Sequence, residues 1–520
     1  LKHMTHLCPG NNNALSTPVF DASAHSAPHT RWCLSLGACC THTFSTMKQI
    51  YSHSPNHFPS SLYKRFSAMI LLRSFRLPKL VVKLILPFVL ALLLVVTVLY
   101  TTDVDTLIID TKYMSIVSLL DSTKASLRPS KSGAIIAPQN VQLIFNPMKK
   151  GSPKEILAQN QKVYDAVLAQ KIHEPKDFDI ESIRPPKDPL DYVRENATII
   201  ALVRNNEIAG IKRTLRQFEQ SFNAKFQYPY TFLNDEPFTD TFKEKIRSFT
   251  QAEVEFVHIP AEIWNKPASI DRQREREAME QLAKEDVAYA QKESYHNMCR
   301  FYSGNFQDLP ALQKYKYYWR IEPNVRFYTN LNYDVFKYLA GTKKLYGFTI
   351  NLYDIRQSVR TLLPETLLFL NKGENYKYVN KNGAFQWITE NQQNPKIAEE
   401  TGGYSTCHFW LNFEIADMDF YRSEAYSNWF KHLESTGKFY YERWGDAPVH
   451  SLGLALFADK LKLHWFRDIG YYHMPYTNCP NNDNTKGCNR GKFDDSGHNL
   501  DQNCMATWID YEMENLGAIY

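Results

Sequence analysis

Between Ala197 and Ile350, short apolar runs alternate with amphipathic ones, and this alternation restricts the possible fold more than any other feature of the chain. Ala197–Val203 (ATIIALV) reads as a buried strand. Glu207–Phe222 follows as a helix, with Ile208, Ile211, Leu215, Phe218 and Phe222 on one face. Tyr230–Leu233, Val254–Ile259, Tyr317–Ile321 and Leu345–Ile350 read as further strands, and Thr239–Phe249 and Asp271–Phe301 as the helices between them. Strand–helix alternation of this kind builds an α/β layer structure around a largely parallel sheet. Ligands of such sheets bind outside the carboxyl ends of the strands. Glu424–Glu434 and Asp446–Phe457 continue the domain, while Tyr476–Cys504 carries cysteines and reads as irregular.

A second feature sets the topology. Leu84–Tyr100 (LILPFVLALLLVVTVLY) has no charge, follows six basic residues between Lys64 and Lys83, and is followed by Asp103 and Asp105. With Val81 and Val82 it approaches the roughly 20 residues that span a bilayer. Basic flanks stay on the cytosolic side. The expected layout is a disordered cytosolic tail over 1–77, a signal-anchor over 78–100, a stem over 101–153 and a folded lumenal domain over 154–520. The sequence opens on Leu, so Met47 and Met69 are expected alternative starts. Five cysteines, Cys299, Cys407, Cys479, Cys488 and Cys504, fall on the lumenal side, which permits two disulfides and leaves one thiol. The net charge of +5 is mild and not gathered into an arm, which argues against nucleic acid as a partner.

Chemistry concentrates between Cys407 and His450, where Glu414, Asp417, Asp419, Glu424, Glu442 and Asp446 stand among Trp and Tyr residues. Carboxylates beside rings suit a polar, ring-shaped ligand such as a sugar. The chain has neither GxxxxGK[ST] nor GxGxxG, so phosphate must be managed otherwise, and a divalent cation is the usual means. Glu322 ends a strand in YYWRIEPNVRF, and Pro323 prevents continuation of the backbone as a helix. Metal binding and a salt bridge to Arg320 or Arg326 are both open to it. Asp417-Met418-Asp419 is a rival metal site. His473, in GYYHMPY, is open to a structural role or a ligand role, and Tyr295 and Arg300 near a helix end to core packing or phosphate contact.

Taken together, ATIIALVRN, SYHNMCRFYSG, YYWRIEPNVRFY, CHFWLNFEIADMDFYRSEAY, FYYERWGDAPVHS and DIGYYHMPY resemble the fungal α-1,2-mannosyltransferases of glycosyltransferase family 15, type II Golgi membrane enzymes. The resemblance covers Asp191–Cys504. It implies a GT-A-like mixed sheet flanked by helices, and retaining transfer of mannose from GDP-mannose to the 2-hydroxyl of a mannoside on a glycoprotein. It also implies Mn²⁺ as cofactor, held by Glu322 and His473, which demotes Asp417 and Asp419. Glu414 corresponds to the family's proposed nucleophile, Tyr295 to a tyrosine near the reacting centre, and Asp446 to an acid near the acceptor. Arg204 and Arg320 are the expected nucleotide contacts. The alternatives are another Golgi glycosyltransferase with a different donor or acceptor, or a non-catalytic lumenal sugar-binding protein.

Overall fold

The computed structural model describes residues 151–389, 395–495, 500–511 and 516–520, with a few isolated positions before 151. The expected tail, membrane segment and most of the stem lie outside the described residues. Among those described, no helix is long and apolar enough to cross a membrane.

Seven strands form the central sheet: β1 (Ala197–Leu202), β2 (Tyr230–Asn234), β3 (Val254–His258), β4 (Tyr317–Arg320), β5 (Tyr346–Phe348), β6 (Glu414–Asp417) and β7 (Leu463–Trp465). Their order is β7-β5-β6-β4-β1-β2-β3. β4, β1, β2 and β3 run parallel, as the alternation predicts. β6 is antiparallel to both neighbours, β4 and β5. The chain steps from β1 outward to β2 and β3, then returns to place β4 on the other side of β1. That reversal makes the β1/β4 crevice a topological switch point, where open α/β sheets bind ligands.

Three helices build the site: α1 (Ile208–Phe218), α2 (Glu293–Gly304) and α3 (Asp446–Phe457). α1 buries Ile211, Leu215 and Phe218. Phe218 meets Trp319 of β4 edge-on, with ring centroids 4.8 Å apart. α2 and α3 pack on each other. The single helix expected over Asp271–Phe301 is two, Arg272–Lys284 and α2. Asp286 and Tyr289 between them have φ of 57° and 59°. Non-glycine residues in the left-handed region interrupt the helical repeat, and hydrophobic periodicity does not reveal them.

The C-terminal region is more ordered than its sequence suggests. Tyr471–His473, Tyr476–Cys479 and Lys492–Asp495 form an antiparallel sheet completed by Arg326–Phe327. Two disulfides, Cys407–Cys504 and Cys479–Cys488, leave Cys299 as a buried thiol, matching the expected count. Cys407 and Cys504 are 97 residues apart, so by chain entropy their bridge contributes roughly 4–5 kcal/mol. The double variant Cys407→Ala/Cys504→Ala should lose about that much in denaturant unfolding, well beyond the loss from removing the 9-residue bridge.

Asp468 anchors the approach to Tyr471–His473. It is buried, accepts hydrogen bonds from Tyr333 Oη at 2.9 Å and Tyr520 Oη at 3.2 Å, and burial pushes its carboxyl up to about 6. A folded-state value above the unfolded one means that the native state holds the proton more tightly. The corresponding stability is fully present below about pH 4 and is lost as pH rises through about 6, on the order of 3 kcal/mol. Asp468→Asn, which still accepts from Tyr333, should flatten that part of a pH–stability curve measured by urea unfolding.

Candidate active site

A cleft opens at the carboxyl ends of β1, β2 and β4, where ligands of open α/β sheets bind. Arg204 and Glu207 follow β1, Asn234 and Asp235 end β2, and Arg320 and Glu322 end β4. Tyr295 and Tyr302 of α2 close one wall.

Glu322 is held by the loop that carries it. The Thr214 hydroxyl donates to its carbonyl oxygen at 2.8 Å, and Asn324 N donates to Gly210 O at 3.3 Å. Gly210 lets this loop lie against α1: a Cβ there would stand 2.9 Å from both Pro323 and Asn324. Arg320 then orients the carboxylate. Its Nη2 donates to Glu322 Oε1 and its Nη1 to Asp446 Oδ2, both at 2.7 Å, while the guanidinium lies 3.7 Å from the Tyr302 ring centroid. One buried cation thus serves two acids, so the cluster keeps a net negative charge.

The second oxygen of Glu322 faces His473 Nε2 at 3.7 Å. His473 Nδ1 lies 3.0 Å from Met474 O. A carbonyl oxygen can only accept, so Nδ1 carries a hydrogen, which leaves Nε2, the nitrogen facing Glu322, as the one a metal could take. The Trp410 ring meets the imidazole edge-on at 4.8 Å. A carboxylate oxygen and an imidazole nitrogen facing each other form a donor set that fits Mn²⁺. Among the described residues no group of three or more His, Cys, Asp or Glu could hold a metal, so the other ligands would come from a substrate's phosphates and water.

Asp417-Met418-Asp419 lies elsewhere. Because β6 is antiparallel, Asp417 pairs with Tyr317 at the start of β4, the end of the sheet away from the cleft. Asp417 caps a short helix by accepting from Asp419 N at 2.9 Å, and Lys316 is 3.5 Å away. The same reversal puts Glu414 level with Arg320. Glu414, however, has no exposed surface. Its Oε1 accepts from Tyr421 Oη at 2.9 Å and lies 2.8 Å from His450 Nδ1. The phenols of Tyr318 and Tyr346 are pushed well above their ordinary value, first by burial and then by this carboxylate's charge. Glu414 is therefore enclosed and not among the residues that line the cleft, and its Oε2 has no hydrogen-bond partner.

Tyr295 stacks on Tyr289 at 4.7 Å, and Arg443 lies 5.5 Å from its ring. Burial raises its phenol well above the ordinary value. Arg204 stands at the rim, its Nε 3.9 Å from Asp235 Oδ1. Arg320, expected to meet nucleotide, has both arms taken by the acids.

The pattern of the glycolipid 2-alpha-mannosyltransferase family matches residues 154–513. The chain belongs to this family. It is 51% identical over 368 residues to a probable mannosyltransferase of Saccharomyces cerevisiae, KTR4, covering 69% of this chain and 78% of that one. The crystal structure of yeast Ktr4p in complex with GDP superposes with a TM-score of 0.69 at 46% identity, over 78% of this chain and 99% of that one. Core-mannan synthase A of Aspergillus fumigatus, in a Mn/GDP form, gives 0.61 at 40% identity, over 74% and 97%. Family membership makes the chain an enzyme, a glycosyltransferase of the mannosyl-transferring kind.

Sequence reasoning missed Asn234. It is 1% exposed and lines the cleft, and neither its Nδ2 nor its Oδ1 has a hydrogen-bond partner. Buried amides without partners are rare in native proteins. The signal was the Asn234-Asp235 pair ending a predicted strand, where ligand contacts collect in α/β sheets. Tyr302 and His450 were also visible but carried no pattern of their own.

Proposed function

We propose that the chain transfers mannose from GDP-mannose to the 2-hydroxyl of a mannoside on O-linked or N-linked glycans, with retention of the α configuration and in dependence on Mn²⁺. The observation that carries this is the Glu322–His473 pair at the β1/β4 switch point. The Mn/GDP form of the Aspergillus relative supports it. When bound, the metal offsets charge on the departing diphosphate. Arg320 holds Glu322 in place, and Arg204 at the rim is a cation for phosphate. Asn234 and Asp235, at the far end of the cleft, supply donor and acceptor groups for the nucleoside. Asp446 and Tyr295 stand on the acceptor side.

The sealed carboxylate of Glu414 favours attack by the acceptor on the leaving-group face. Tyr421 and His450 engage Oε1 only and Oε2 has no hydrogen-bond partner, so a mannosyl ester on Glu414 would require only that the side chains enclosing Oε2 open to the sugar. The enzyme sits in the Golgi as a single-pass type II protein, a reading supported by the apolar run at Leu84–Tyr100. The decisive experiment incubates the purified chain with GDP-mannose or a UDP-sugar, with and without Mn²⁺, and a panel of mannosides, followed by linkage analysis. An α-1,2-linked product from GDP-mannose alone, lost on chelation, is the expected result. Turnover with a UDP-sugar, or sugar binding without turnover, would replace the proposal with one of its alternatives.

A further inference from the structure

We propose that His450, paired with the sealed Glu414, is a positioning residue for metal binding at Glu322. This rests on the proposed metal role of Glu322 and extends it to a layer that touches neither metal nor substrate.

The inference starts from two registers. Asp446 and His450 are four residues apart on α3, so their side chains leave the same face one turn apart. Arg320 and Glu414 are register partners on the adjacent antiparallel strands β4 and β6, so their side chains leave the same face of the sheet. The helix pair meets the strand pair in two parallel links. Asp446 accepts from Arg320 at 2.7 Å, and His450 Nδ1 meets Glu414 Oε1 at 2.8 Å. A third contact ties the links together: His450 Nε2 lies 2.7 Å from the carbonyl oxygen of Tyr302, whose ring supports the Arg320 guanidinium.

The protons can be assigned. The Tyr302 carbonyl only accepts, so Nε2 carries a hydrogen. A single further proton lies between Nδ1 and Glu414 Oε1, the oxygen that also accepts from Tyr421. Glu414 and His450 are both 0% exposed. A buried pair of this kind is weak evidence for stability, because well-packed apolar residues often do as well; fixing a register is its best-attested use. Here the register is that of α3 on the sheet. A slip of α3 would move Asp446 off Arg320 Nη1 and untether the guanidinium whose Nη2 orients Glu322. His450 thus acts on the metal site through Tyr302, Asp446 and Arg320.

The test measures Mn²⁺ binding to the full chain in the presence of GDP, by the electron paramagnetic resonance signal of free Mn²⁺. His450→Gln keeps a donor toward Tyr302 but loses the proton shared with Glu414. It should bind Mn²⁺ on the order of 10-fold more weakly, the low end of the cost of losing a direct partner of a metal ligand, because His450 acts through Arg320. GDP affinity without metal should stay within about twofold. Glu414→Gln is nearly isosteric and guards against misfolding of the first variant; its Mn²⁺ affinity should fall between wild type and His450→Gln. If either variant, folded by circular dichroism, binds Mn²⁺ as wild type does, the positioning role is overturned. If the wild-type chain with GDP binds no Mn²⁺, the metal reading of Glu322 fails, and this inference with it.

Discussion

Glu322→Gln lowers kcat/KM for mannosyl transfer by about 10³-fold while leaving the fold intact. The size follows from losing charge stabilisation of a departing diphosphate, which in preorganised sites accounts for 10²–10³-fold or more per group. The choice of Gln isolates the effect. Its carbonyl oxygen can still accept from Arg320 Nη2, the bond that Glu322 Oε1 makes at 2.7 Å, so the buried guanidinium keeps its partner. The lost element is the anionic oxygen facing His473 Nε2. The thermal midpoint should move little, GDP should still bind, and the Mn²⁺ concentration for half-maximal rate should rise sharply. Wild-type metal dependence in this variant would remove Glu322 from the metal site.

Arg320→Leu is expected to be the most damaging single change to both stability and activity. Arg320 is 4% exposed and is hydrogen-bonded to both Glu322 and Asp446. Leucine leaves two carboxylates facing each other without a cation, one of them buried. Breaking a buried ion pair by removing one partner costs about 3–5 kcal/mol. Activity should fall with stability, since Glu322 loses its orientation and α3 its tether through Asp446. Arg320→Lys should be only partly conservative. A lysine ammonium can meet one acid, but it cannot span both with a planar fork or stack on Tyr302. Urea unfolding at neutral pH, with transfer assays on the folded fraction, separates the two losses. Equal stability of the wild-type and lysine proteins would show that the bridging geometry contributes nothing.

Local pattern carried a large share of this reading. β1, β2, β3 and β4 lie where periodicity places them, because burial between helix layers demands continuous apolar runs and amphipathic partners. Glu322 was identifiable because Pro323 and the strand end are neighbours in sequence. The break between Arg272–Lys284 and α2 was not, since backbone conformations with positive φ at Asp286 and Tyr289 leave no hydrophobic signature. The sheet that delivers His473 was hidden for another reason. Its strands are two to four residues long, and Tyr471–His473 pairs with Arg326–Phe327, far back in the chain. Such pairing is specified by the packed whole and by no local run.

The sequence by itself determined the α/β class, the strand end that carries Glu322, the number of possible disulfides and, through six ordered motifs, the family. Tertiary structure alone decided the direction of β6. Hydrophobic patterning is identical for parallel and antiparallel strands of a sheet covered on both faces, so nothing local distinguishes them. Yet that direction sends Asp417-Met418-Asp419 to the wrong end of the sheet and sets Glu414 beside Arg320. It also lets α3 close over Glu414, turning the acid most expected at the reacting centre into a sealed partner of His450.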